Sequence, residues 1–248
     1  YYKICHMCKR KFFILCLCGI MMSCKSEIQS QEKMLKVKEI EFKGQAGLEQ
    51  VSRLLEEHAE LQAIDLINWD QFSYRPSVAF RIAHSNNAIW IKYYVKEKNI
   101  LASVGETNGP VARDSCVEFF FDPLGNGDYY NFEFNCIGTV HLAYGAGRGQ
   151  RQFVDPNTIK NLIEVQSSLG SQTFTERTGD FSWEMTIIIP AEILTHNPEI
   201  KLKGLKSTAN FYKCGDATSQ RHYLTWNPVG TEKPDYHRPE FFGKLIFQ

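Results

Sequence analysis

The chain has 248 residues, and its 28 Lys and Arg balance its 28 Asp and Glu, so it is formally neutral at pH 7. That balance excludes a nucleic-acid binder held by phosphate contacts, which needs a basic patch. The length suits one well-buried domain with a short appendage, or at most two small domains.

The first segment carries Cys5, Cys8, Cys16, Cys18 and Cys24, whereas the rest has only Cys116, Cys136 and Cys214. Cys5-x-x-Cys8 is followed by no second pair at zinc spacing, so it implies no metal. Residues 9–24, KRKFFILCLCGIMMSC, combine a basic cluster, a short apolar run and a small residue before cysteine. This is the pattern of a secretory signal and not of a membrane-spanning helix. MMSC resembles the lipobox of bacterial lipoproteins, which makes residues 1–23 the signal and Cys24 the lipidated residue; an ordinary cleaved signal has the same three-part pattern. The polar, Ser/Gln/Glu-rich stretch that follows reads as a tether over 24–33, and the folded domain spans 34–248. These features predict an exported protein of the bacterial cell envelope that touches membrane only through its lipid anchor.

Residues 34–42 alternate and predict a first strand. Val51, Leu54 and Leu55 among charged neighbours predict a helix over 48–61. A stretch with Trp69, Phe72 and Tyr74 leads into a strand over 78–84. The turn Asn86-Asn87 then pairs Ser85 with Ala88, Phe80 with Tyr93 and Ile82 with Ile91. Arg81, Trp90, Lys92 and Tyr94 share the opposite face. Residues 100–113 read as a loop.

The run 114–144, DSCVEFFFDPLGNGDYYNFEFNCIGTVHLAY, predicts three antiparallel strands. Pairing Phe121 with Tyr130, Phe119 with Phe132 and Val117 with Phe134 makes one face wholly apolar. A three-residue turn with Gly138 left-handed then sets Phe134 against Val140 and Phe132 against Leu142, whereas a two-residue turn would bury His141. This register lines up Glu118, Glu133 and His141 on the other face, beside Asn131, Asn135 and Thr139. It also turns Cys136 inward and Cys116 outward, so no disulfide between them is expected. A polar row of this kind is either a solvated outer face, with Arg81, Lys92 and Arg113 offsetting the carboxylates if their strands share the sheet, or a platform for a polar ligand such as a sugar.

Residues 145–157, rich in Gly, Arg and Gln, read as a long exposed loop of the kind that often carries binding residues. Further strands are predicted over 163–169, 181–189, 207–213 and 242–247, with one helical turn over 190–194 that begins with proline. Many short strands with hardly a helix between them predict an all-β fold, an antiparallel β-sandwich of jelly-roll type with one short accessory helix near the N-terminus.

DSCVEFFFDP, YYNFEFNCIGT and the run YLTWNPVGTEKPDYHRPEFFG over 223–243 resemble the family 9 carbohydrate-binding modules and their lipoprotein relatives within the DOMON-like group. The resemblance extends over 34–248. It implies a β-sandwich that captures polysaccharide or oligosaccharide between aromatic side chains without cleaving it, and Trp69 and Trp226 are the positions that look like the family's sandwiching tryptophans. Core packing is the competing role for both, and Trp183, inside an alternating strand, reads as core. The expected polar contacts are Arg81, Glu118, Glu133, Asn135 and His141 on the sheet face and Arg113 and Arg238 in loops.

The alternatives are a glycoside hydrolase using Glu118 and Glu133, since opposed carboxylates on adjacent strands approach to roughly 5–6 Å, and a structural envelope protein. No cofactor is expected. Asp122, Asn126 and Asp128 are oxygen donors that a structural calcium could use, but a tight hairpin loop requires the same residues. Haem, carried by some DOMON-like domains, lacks a Cys-x-x-Cys-His motif here, and His222, His237, Tyr223 and Tyr236 form a loop cluster without metal spacing, which reads as loop anchoring or as a polar rim for a ligand. A monomer is expected.

Overall fold

The computed structural model describes residues 1–2 and 32–248. The signal pattern, the first five cysteines with Cys24, and the tether through residue 31 lie outside the described residues. Within them the order is β1 (Met34–Glu39), α1 (Leu48–His58), β2 (Gln62–Ala63), β3 (Ser77–Ser85), β4 (Ala88–Ala102), β5 (Cys116–Asp122), β6 (Asp128–Asn135) and β7 (Val140–Ala146). There follow β8 (Gln152–Phe153), α2 (Pro156–Leu162), β9 (Glu164–Ser167), β10 (Phe174–Pro190), β11 (Lys206–Cys214), β12 (Tyr223–Thr225) and β13 (Gly243–Phe247).

The strands form a β-sandwich. One sheet runs β8-β7-β6-β5-β11-β13 and the other β3-β4-β10-β9. The first strand joins them, pairing through Met34–Val37 with β13 and through Lys38 and Glu39 with β3. Both of its pairings are parallel, whereas the pairings elsewhere in the sandwich are antiparallel. Alternation makes strands but is blind to direction, so the parallel seam was not readable from it.

The predicted registers are those found. Phe121 faces Tyr130, Phe119 faces Phe132 and Val117 faces Phe134. Glu133 faces His141, and the turn closes as Gly138 N–H donates to Asn135 O at 2.8 Å with Gly138 at φ +83°. Ser85 likewise faces Ala88, with Asn86 and Asn87 at φ +47° and +58°.

The inward residues of both sheets make the main core. Phe80 of β3 stacks on Phe211 of β11 with centroids 3.8 Å apart, and Trp226 stands edge-on to Phe211 at 5.7 Å. Burying each such ring stabilises the fold by on the order of 1.5–3 kcal/mol. Cys136 joins this core while Cys116 lies on the other side of its sheet, as the register requires. The helix α1 packs Val51 and Leu55 on the outer face of the second sheet, against Ala83, Trp90 and Ile188.

Several elements differ from the sequence reading: it lacks β2 and β12, and β10 begins at Phe174 and not at Phe181. The strand β4 continues to Ala102 because Ile100 and Ala102 are inward core residues. The predicted loop over 145–157 is broken by β8 and by α2, whose start Asp155 caps by accepting from Asn157 N–H at 3.0 Å and Thr158 N–H at 2.9 Å, with Pro156 opening the helix. Finally, Lys33 is already tied down at the end of the predicted tether, its N–H donating to Asn227 Oδ1 at 2.8 Å.

Candidate functional site

Strand alternation puts Glu118 of β5, Glu133 of β6 and His141 of β7 in one transverse row on the outer face of the first sheet. A cleft of about 690 Å³ opens above this row, within the range of small-molecule sites. Asn131 and Phe120 complete its floor, Arg148, Arg151 and Phe153 form one wall, and Cys214, Asp216, Tyr223 and the segment Pro234, Asp235, Tyr236 and His237 form the other.

The first wall is built by a tight return of the chain. Gly145, at φ +143°, passes so close to the strand after it that a Cβ would lie 2.0 Å from Gln150 O. The return places the Arg151 guanidinium 4.2 Å from the Tyr129 ring centroid, where it donates to the carbonyls of Tyr129 at 2.9 Å and Ala143 at 2.8 Å. It also donates to Asn131 Oδ1, and Asn131 Nδ2 donates in turn to Glu133 Oε1 at 2.8 Å. Arg151 thus holds the loop on the sheet and, through Asn131, orients Glu133. Arg148 of the same wall pairs with Asp235 of the other at 2.9 Å.

The electrostatics of the floor are unusual. Glu118 and Glu133 are both buried and directly opposed, yet among the described residues neither has an ion-pair partner within 4.0 Å. Burial first, and then the neighbouring Glu133, push the Glu118 carboxyl well above the usual carboxylate range. Its Oε1 accepts from the Cys214 thiol at 3.0 Å. Burial likewise raises Asp216, whose Oδ1 is buried without a partner. His237 shares a 2.8 Å hydrogen bond with Tyr129, and burial drives its pKa down to about 3, so it is neutral. His141 Nδ1 donates to Gly109 O at 3.1 Å, so the ring is held with Nε2 as its other polar atom. Phe153 is the one strongly exposed aromatic ring of the cleft among the described residues, 62% accessible and edge-on to His141.

Of the residues singled out from sequence, Glu118, Glu133 and His141 meet in this cleft with Asn131, Tyr223, Tyr236 and His237, whereas the proposed stacking tryptophans and the remaining polar contacts lie elsewhere. Trp69 is only 2% exposed: its Nε1 donates to Thr231 O at 2.8 Å, and its ring packs on Tyr223 and Tyr236. Trp226 is 1% exposed, within the main core. Neither offers a ring face to a sugar, because the polar loops around them, which suggested exposure, are the layers that cover them. Trp183 is core, as expected.

Arg81 sits on the outer face of the second sheet and donates to Ala59 O beyond α1, so neither it nor Lys92 offsets Glu118 and Glu133. Arg113 is exposed in a single turn outside the cleft. Asn135 is fully buried and ties Val104 O to the Asp114 carboxylate. Arg238 pairs with Glu240, also outside. Asp122 accepts from Gly125 N–H and Gly127 N–H, each at 2.7 Å, and Asn126 Oδ1 from Asp128 N–H at 3.1 Å, so these oxygens shape the hairpin loop. Sequence reasoning flagged the loop that carries Arg148, Arg151 and Phe153 but not the residues, and it missed Asp216 and Asp235 entirely.

The model for carbohydrate-binding family 9 matches residues 49–247. The chain belongs to that family. A candidate carbohydrate-binding protein from Bacteroides uniformis ATCC 8492 is 38% identical, with a TM-score of 0.84 over 88% of this chain and all of the other. Two structures of a family 9 module from Caldicellulosiruptor kristjanssonii share the fold. The one holding glucose has a TM-score of 0.56 at 11% identity and the one holding cellotriose 0.54 at 14%, each over 87% of this chain and 96% and 94% of the module, respectively. No curated relative matches the sequence. Family 9 modules bind carbohydrate and do not cleave it, which removes the hydrolase alternative for Glu118 and Glu133. No helix among the described residues is long and apolar enough to cross a membrane.

Proposed function

We propose that the cleft over Glu118, Glu133 and His141 is the carbohydrate site of this family 9 module, with the ring face of Phe153 in the stacking role that Trp69 and Trp226 do not fill. The observation that carries this reading is the pairing of one exposed aromatic wall with a buried polar floor whose carboxyl groups lack ion-pair partners. With the Glu118 carboxyl held toward its protonated form, the floor presents an O–H donor beside the side-chain oxygens of Glu133. That suits sugar hydroxyls, which both donate and accept. Arg148, Asp235 and the Nε2 of His141 add polar contacts at the rim.

On the same reading the module is monomeric and is held at the bacterial cell envelope by lipid on Cys24 and the polar tether. Loss of radiolabelled palmitate incorporation in Cys24→Ala is the expected outcome; incorporation that persists rules out the anchor. Isothermal titration with mono-, di- and oligosaccharides, alongside Phe153→Ala and Glu133→Gln, tests the site. Heat of binding that both variants diminish, with no product released, is expected. Binding that survives unchanged in both variants places the sugar elsewhere.

A further inference from the structure

Beneath the cleft lies a donor cluster that shares Glu118 with the sugar floor and adds two cysteines that carbohydrate binding does not require. Cys116 of β5 and Cys214 of β11 are directly paired across neighbouring strands, and Glu118, two positions along β5, shares their face. The two sulfurs and a Glu118 carboxylate oxygen lie within 4.8 Å of one another, and all three residues are buried. We propose that Cys116, Cys214 and Glu118 bind one thiophilic divalent cation of the zinc class.

Donor chemistry selects the cation. Calcium takes six to eight oxygens, whereas two thiolates and a carboxylate are a zinc-type set. Tetrahedral bonds of about 2.3 Å to sulfur and 2.0–2.2 Å to oxygen separate donors by roughly 3.5–4 Å, within the 4.8 Å that encloses the three donor atoms here. Three protein donors leave a fourth position. Because Cys214 and Glu118 line the cleft while Cys116 lies behind them, that position faces the cleft and takes water or a ligand oxygen.

Two buried cysteines alone would read as small apolar packing residues. What separates this pair from packing is the third donor, already joined by the bond from the Cys214 thiol to Glu118, together with access from the cleft. Burial pushes the Cys116 thiol up to about 12, and the hydrogen bond with Cys116, followed by burial, raises the Cys214 thiol, so both are protonated. Loading therefore releases protons: M²⁺ plus two Cys–SH gives M(S–Cys)₂ plus two H⁺, and a further proton leaves if Glu118 carries one. Affinity accordingly rises by about a hundredfold per pH unit while two protons are displaced. The inference rests on this geometry and not on the sugar reading; a sugar that binds without the cation leaves it intact.

The test uses the whole chain, fully reduced and titrated with Co²⁺ as the probe. One equivalent should produce a thiolate-to-cobalt charge-transfer band and intense tetrahedral visible bands that Zn²⁺ bleaches. Glu118→Gln should shift the visible bands, and the Cys116→Ser, Cys214→Ser pair should abolish the charge transfer. No such band in the wild-type chain overturns the proposal. So does an equal band in the double variant, which assigns the cation to the leading cysteines Cys5 to Cys24. Should the double variant fail to fold, X-ray absorption of the chain loaded with one equivalent of zinc decides. Two sulfur and two oxygen or nitrogen neighbours are expected, and an all-sulfur or sulfur-free shell sinks it.

Discussion

The two outer faces of the sandwich are built from similar residues and end in opposite states. On the second sheet Lys92 is buried under α1 with Glu56 and with Glu184 at 2.8 Å, and Trp90 packs beneath the helix. On the first sheet Glu118 and Glu133 are as deeply buried, yet among the described residues no cation pairs with them and a cleft stands above. A polar group paired within the fold is structural, whereas one buried and left unpaired carries a desolvation cost that a ligand can offset.

Substitutions on the two faces should therefore separate stability from binding. Trp90→Ala on the closed face and Trp69→Ala behind the cleft should each cost about 3–5 kcal/mol in chemical denaturation, because each empties a packed site. Trp69→Ala that keeps its stability but loses sugar binding would undo the assignment of Trp69 to the packed layer. Phe153→Ala should move stability by no more than about 0.5 kcal/mol and weaken sugar binding by about two- to tenfold, the worth of an aromatic contact. A fall in melting temperature comparable with that of Trp69→Ala would make Phe153 structural.

Glu118→Gln sharpens the contrast through pH. The folded state raises this carboxyl above its unfolded value, so its favourable contribution is complete below about pH 4 and is lost as pH rises through the folded pKa. The variant should gain thermal stability relative to the wild type as pH climbs from about 4 toward the folded pKa and hold that gain beyond it, and the two should converge in acid. A difference independent of pH would mean that Glu118 is not perturbed. Lys92→Met acts on the closed face alone. It should cost about 1 kcal/mol, because Glu56 and Glu184 still reach solvent, and it should leave sugar binding unchanged; a loss of binding would mean that the closed face takes part.

Much of the floor was legible, since a two-residue period gave Glu118, Glu133 and His141 one face and one row before any coordinates. The walls were not. Arg151 reaches Asn131 only because the chain reverses at Gly145, and Asp235 and His237 arrive from the far end of the sequence. No local pattern encodes such meetings. The tryptophans failed for a related reason: a polar neighbourhood in sequence says nothing of whether those neighbours lie beside a ring or on top of it.

By itself, then, the sequence determined the strands, their registers and which side chains share a face, because pleat and turn chemistry act between residues close along the chain. Only the tertiary structure decided which face α1 would close, which the 145–153 return and the C-terminal loops would leave as a cleft, and that β1 would run parallel to both of its neighbours. Those outcomes depend on contacts between segments far apart in sequence, where the free energy of covering a face belongs to the assembled layers and to no single stretch of residues.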